Sequence, residues 1–514
     1  MPTTPTRVDL PGLSGLDANA EDASPPEVTT LALDVLEKQP KLKKILLLGI
    51  LCLALFLDTF NNSSLFTAIP VISVELNIPN SESVWLPQRI SVNICCLASY
   101  REHSGRVSDL YNPKWVFVSG AVSMGIFALI NGAAGALTIP SAMHLIVHMY
   151  PDPSDQAKAV TAFGGMGAIG VVLGLIIGAL FVSFASWPWV FFFSAMVSGV
   201  IGLSAILLIP KLSRTVAETR AQQVMRVRRL DLLGVFTFTV ASILFIFSIT
   251  SGSVDGWSST HVIAPLILSF VLFITFFVWE ARLSESYAAV PPKMWTYENF
   301  TVLILASFAP FMWWGSIFLL FSWLWEVVYQ WSAINTAMHF LPIGLGMFPI
   351  IPLAAGLQSK LRLKWVILIG FVLICTGTVL LPFADSSENY WPFAFPGFLL
   401  GTAGASLIYT TTNIALLANT PKAVSGIVSA MFTCVLQMGA AIGAAILTSI
   451  QTSVQLSHGG PTSFSGRAAG LWFLFAFLCA MMVLLVVFMK DTVGPVTSPG
   501  KGLAVKMEIS KNEV

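Results

Sequence analysis

Apolar residues gather into long runs near 44–74, 115–131, 160–184, 188–209, 231–251, 262–280, 300–324, 337–357, 365–384, 392–417, 424–450 and 470–489. Most approach the ~20 residues a helix needs to cross a hydrocarbon core about 30 Å thick. Two stretches are weaker: 84–103 is interrupted by Pro87, Gln88, Arg89 and Asn93, and 132–150 follows the run before it with no loop between. Lipid cannot hydrogen-bond an exposed backbone, so such runs predict helices, and the chain reads as an all-α, polytopic membrane protein.

Charge decides whether the two weak stretches cross. With both termini inside and fourteen crossings, 24 of the 27 Lys and Arg residues fall on the inner side, where positive residues of short loops are retained. Only Arg467 falls in an outer loop, and Arg89 and Arg101 lie in the weak second span. Removing 132–150 alone would move the basic segment between Lys211 and Arg229 outside and invert every later loop. The predicted plan is a disordered cytoplasmic tail (1–43), a six-helix half (44–209), a basic cytoplasmic loop (210–230) and two inserted central helices (231–280). A cytoplasmic linker (281–299), a second six-helix half (300–489) and a cytoplasmic tail (490–514) complete it. The basic loop is a topology anchor, with anionic-lipid contact as the alternative.

Composition agrees, with 55% hydrophobic and only 10% charged residues, against about 25% charge in soluble domains. The net charge of +1 carries no nucleic-acid signal. The six cysteines lie in apolar stretches without metal-ligand spacing, and His144 and His148, though one helical turn apart, lack a carboxylate partner; no metal or cofactor is expected. No basic segment followed by a short apolar one opens the chain, so the first span is expected to serve as the insertion signal. The sequons at Asn61 and Asn62 lie inside that span, out of reach of glycosylation. No G-x-x-x-x-G-K-[ST] motif is present, which favours coupling to an ion or to the membrane potential.

Polar residues inside spans are expensive in lipid and so are functional candidates. Asp58 sits about halfway along the first span among Thr59, Asn61, Asn62, Ser63, Ser64 and Thr67. It is the candidate proton-coupling group, the alternative being an acid permanently bonded to its neighbours. In the second half Glu326, Tyr329, Gln330, Tyr409, Asn413 and Gln437 are candidates to line a solute path, with Asn61 and Asn62 in the first. Trp313, Trp314, Trp323, Trp325 and Trp331 are expected mostly as interfacial anchors. Glycines recur at Gly164, Gly165, Gly167, Gly170, Gly174 and Gly178 in the fifth span and at Gly426, Gly439 and Gly443 in the thirteenth. Each stripe is either close helix packing or a gating interface. Between the second and third spans, Gly105, Arg106, Asp109 and Lys114 form a charged turn able to latch neighbouring helix ends.

The segment from Gly105 to Lys114 resembles the inner-loop signature of the major facilitator superfamily, with Leu110 and Asn112 in place of its usual basic residue and glycine. Leu57-Asp58 to Ala68-Ile69-Pro70 resembles the first-helix motif of its drug:proton antiporters. Gly170, Gly174 and Gly178 match their fifth-helix motif, with Leu175 where proline is usual. The resemblance spans roughly residues 44–490 and is nearest the fourteen-helix branch, including fungal proteins that handle aminotriazole, boron or ammonium. It implies a monomeric carrier of the plasma membrane or vacuole whose partners are a small-molecule substrate, protons and the lipid bilayer. An enzyme is disfavoured, because no catalytic constellation is present. A sensor on a carrier scaffold, and low-affinity transport of ammonium- or borate-type ions, stay open.

Overall fold

The computed structural model describes residues 39–75, 138, 141–143, 145, 146, 149, 150, 152–209, 231–283, 290, 292–421, 424–457, 460 and 463–490. The predicted second and third spans, most of the fourth and the basic loop lie outside the described residues. The elements, all helical among the described residues, are α1 (Lys41–Glu75), α2 (Pro153–Phe184), α3 (Pro188–Leu208), α4 (Leu232–Asp255) and α5 (Thr260–Arg282). There follow α6 (Phe300–Ala306), α7 (Phe308–Trp323), α8 (Ala333–Lys360), α9 (Leu363–Leu380), α10 (Ala394–Ala418), α11 (Ser425–Ser457) and α12 (Ser465–Phe488). Nine helices among the described residues are long and apolar enough to cross a membrane, with α6 and α7 belonging to one of them.

Local chemistry sets the helix starts. At α2, Pro153 has no amide hydrogen to leave unsatisfied, and the Asp152 side chain accepts from the Asp155 amide at 3.2 Å. At α4, Asp231 takes a left-handed conformation (φ 38°), accepts from the Gly234 amide and also accepts the Trp279 indole N–H at 3.0 Å, tying α4 to α5. Three prolines, Pro342, Pro349 and Pro352, interrupt the hydrogen-bond ladder of α8.

Glycine stripes set the packing. A Cβ on Gly174 would lie 2.6 Å from the Phe60 carbonyl oxygen of α1, and one on Gly178 2.8 Å from the Ser64 Cα, so α1 and α2 touch backbone to backbone. The pairing recurs between α7 and α11: a Cβ on Gly439 would come within 2.5 Å of the Phe308 carbonyl, and one on Gly443 within 2.6 Å of the Met312 side chain. Thus the first and fifth predicted spans of each half are mutual neighbours. The opposite face of α2 turns to the second half, where Leu175 and Ala179 join the core built from α7 to α12. Val172 fits against Gly344 of α8.

Trp313 and Trp325 are core residues rather than interfacial anchors. Trp313 is fully buried and donates from Nε1 to the Thr378 hydroxyl at 2.9 Å. It lies over Gly401, where a Cβ would come within 2.0 Å of the indole. Trp325 packs on Phe321, Phe340 and Phe398. Which way these indoles turn depends on residues of other helices, as Gly401 does for Trp313. Gly401→Ala is therefore expected to push the indole off Thr378 at an overpacking cost of about 1–3 kcal/mol, measurable as a lowered melting temperature of the purified protein.

Candidate functional site

The candidate site begins on α1, whose polar segment faces two neighbours. Thr59 and Ser63 bond back to carbonyls of their own helix, which saturates hydroxyls that lipid could not. Ser63 also reaches the Gly170 carbonyl at 3.4 Å. Asn61 is buried and accepts a short hydrogen bond from the Ser194 hydroxyl of α3, while Asn62 and Asp58 are half-buried. The glycine motif thus brings α2 against the segment that carries Asp58. The charged turn of Gly105, Arg106, Asp109 and Lys114 lies outside the described residues.

Beyond Asn61, α1 meets the second half directly. Phe66 stacks on Phe318 of α7 with ring centroids 4.9 Å apart, and the Ser322 hydroxyl donates to the Phe66 carbonyl. Val172 against Gly344 is a further contact between the halves, level with the Asp58 segment rather than with Phe66.

In the second half Tyr409 of α10 stacks on Phe311 of α7 (centroids 6.0 Å, planes 14° apart) and lies 5.6 Å from Phe432 of α11. Trp314 adjoins Phe311 at 5.7 Å, and its indole N–H is buried with no acceptor among the described residues. Buried indoles ordinarily find one. Asn413 is half-buried one turn further along α10, and Gln437 is buried on α11. Phe311 and Phe432 were invisible as site residues in the sequence, because in an apolar run a phenylalanine gives no sign of which way it turns.

Tyr329 and Gln330 do not join this cluster. The Tyr329 hydroxyl donates to the Asp385 carbonyl at 2.7 Å, beyond the start of α10, while Tyr409 lies about 22 Å along that helix at 1.5 Å per residue. Burial, then the Asp385 charge, raise the Tyr329 phenol above its usual range, with Arg467 opposing. Gln330 is exposed at φ 56° and donates to the Val327 carbonyl at 2.6 Å, so it closes the end of its span. Among the described residues no group of three or more His, Cys, Asp or Glu residues is arranged to hold a metal ion.

Paired glycine-packed helices and apolar helices throughout define a polytopic membrane protein. The chain belongs to the Major Facilitator Superfamily, whose model matches residues 51–444. It is 22% identical over 504 residues to the efflux pump terJ of Aspergillus terreus, covering 92% of this chain and 93% of the pump. It is 21% identical to the low affinity ammonium transporter of Saccharomyces cerevisiae, covering 83% and 85%. A third relative, the puromycin resistance protein pur8 of Streptomyces alboniger, is 22% identical and covers 73% of this chain and 75% of its own length. In fold the chain is similar to a proton-dependent oligopeptide transporter, with a TM-score of 0.60 at 14% identity over 87% of this chain and 98% of the other. The protein is therefore a multi-pass membrane transporter of small solutes rather than an enzyme.

Proposed function

We propose that the chain exports drug-like or small toxic compounds in exchange for protons, by alternating access between residues 44–209 and 300–489 of a fourteen-span monomer. Asp58 carries the proton. Asn61, Asn62, Tyr409, Asn413 and Gln437 line the solute path, with Tyr329 and Gln330 at its outer end, and Gly105, Arg106, Asp109 and Lys114 form the inner latch. The plasma membrane is the proposed location, with the vacuole as the alternative.

The observation that carries this reading is the double-sided packing of α2. Gly170, Gly174 and Gly178 lie against the polar segment of α1, while Val172, Leu175 and Ala179 lie against the other half. A helix held on both sides couples an event at Asp58 to relative movement of the halves. With Lys41 inside, the Phe66 contacts lie toward the outer surface, which corresponds to a state closed to the outside. The aromatic surface of Phe311, Trp314, Tyr409 and Phe432 suits flat, amphipathic solutes, in keeping with a relative named for puromycin resistance. The yeast relative favours ammonium as a second reading.

Reconstituted vesicles supplied with puromycin or methylammonium, with and without a pH gradient, test the proposal. Gradient-driven movement of puromycin supports export of organic solutes, movement of methylammonium alone supports the second reading, and movement of neither in a folded protein rejects both. Tyr409→Ala removes an aromatic face whose stacking on a solute ring is worth about 0.5–1.5 kcal/mol, so the apparent KM for puromycin should rise about two- to tenfold, while loss of the Phe311 and Phe432 contacts lowers the melting temperature. An unchanged KM would put the solute elsewhere.

A further inference from the structure

Past Ser322 the helix of α7 does not continue regularly. Leu324–Val328 forms a π turn, marked by the Tyr329 amide donating to the Leu324 carbonyl at 2.9 Å, and the Trp331 amide then donates to the Trp325 carbonyl at 2.8 Å. Such a turn inserts one residue into the helix, rotates the side chains that follow, and is frequent at functional positions. Here it carries Glu326. Both carboxyl oxygens of Glu326 are inaccessible to solvent and have no hydrogen-bond partner among the described residues. The hydroxyl of Thr336, on α8, lies beside them and is itself buried and unpartnered.

The charged and titratable groups around this point make their own contacts, and none of the hydrogen bonds they form reaches Glu326. From α8, His339 shares Nδ1 with the Asn335 carbonyl at 2.7 Å and is enclosed by Trp331 and Tyr390, each with ring centroids 4.4 Å away. Tyr390 donates to the His339 carbonyl. From α12, the buried Arg467 donates from Nη1 to the Ser463 carbonyl at 3.1 Å and lies toward Tyr329, while its Nε has no partner among the described residues. From the segment after α9, Asp385 accepts from the Asn389 amide group at 2.7 Å. Removing a carboxylate from water without a partner costs several kcal/mol, whereas the neutral acid is far cheaper to bury and has a hydroxyl beside it. Ser322, four residues before Glu326 and just ahead of the π turn, is the residue that donates to the Phe66 carbonyl across the boundary between halves.

We propose that Glu326 is a second proton-binding site, built into the outer gate: its carboxyl holds a proton while Ser322 is bonded to Phe66, and releases it to water when that contact opens. The role rests on the proton-coupled, alternating-access reading above. It makes opening of the outer gate a deprotonation step, so that outward opening is easier at high external pH. Nothing is transferred but the proton, from the carboxylic acid to water or buffer.

Infrared difference spectroscopy of the full chain in lipid nanodiscs, titrated in pH, tests this. The wild type should show the carbonyl stretch of a protonated carboxylic acid at neutral pH. Glu326→Gln, which keeps the shape of the neutral acid, should abolish that band, and Asp58→Asn should retain it. Carbon-13 labelling of glutamate in the wild type should shift the same band, a readout that needs no variant to fold. Absence of the band at neutral pH, or loss of it over the ordinary glutamate range of about pH 4–5, would overturn the proposal. A missing band in a protein that still exchanges protons for puromycin in vesicles would overturn this site alone and leave the wider reading standing.

Discussion

Gly174→Leu is expected to abolish transport and to lower the melting temperature more than any other single change considered. At this position even a Cβ meets the Ser63 hydroxyl at 2.0 Å and the Phe60 carbonyl oxygen at 2.6 Å. The hydroxyl can rotate away; the carbonyl belongs to the backbone of α1 and moves only if the two helices part. Gly174→Ala should therefore cost about 1–3 kcal/mol, less the roughly 1 kcal/mol that alanine gains over glycine within a helix. Leucine adds three more carbons to the same gap. Ser63→Ala in the Gly174→Ala background should recover only part of the loss, because the Phe60 carbonyl remains. Melting of the purified protein and solute flux in vesicles read the two effects, and a freely tolerated leucine would show that α1 and α2 are not packed this closely in the working protein.

Asp58→Asn is expected to remove the pH dependence of transport while leaving the fold in place, since asparagine keeps the size and polarity of a half-buried side chain. For exchange of one proton per uncharged solute, each unit of pH gradient is worth about 1.4 kcal/mol, a tenfold change in the accumulation ratio. In the variant that ratio should become flat with pH, with solute still equilibrating down its own gradient. Flux in vesicles at several imposed gradients measures the slope. A slope unchanged from wild type would move the coupling off Asp58, and the buried carboxyl of Glu326 would then be the next residue to test.

The two expectations lie at opposite ends of what a sequence discloses. Hydropathy located several of the described helices within a few residues: 188–209 became α3 (Pro188–Leu208), and 392–417 became α10 (Ala394–Ala418). It could not disclose rotation, because a helix apolar on every side has no preferred face. Trp313 and Trp325, two of the five tryptophans expected mostly as interfacial anchors, turn into the protein core, and the aromatic partners of Tyr409 were missed. The glycine stripe of α2 was legible as a close-packing surface, but its partner was not. Only the folded chain pairs Gly170, Gly174 and Gly178 with α1 and turns Leu175, where the resembling motif has proline, into the core of the other half. Glu326 was legible as an acid in an apolar run, whereas its burial depends on the π turn and on α8, which no local pattern announces.

Linking across the Phe66 contact tests alternating access most directly. In a chain whose native cysteines are replaced, Phe66→Cys and Phe318→Cys would be joined by a thiol-reactive linker carrying a reducible bond, and puromycin flux followed in vesicles. Flux should stop when the linker closes the outer gate and return when reductant opens it, whereas undiminished flux through the linked protein would contradict movement of the two halves about this contact.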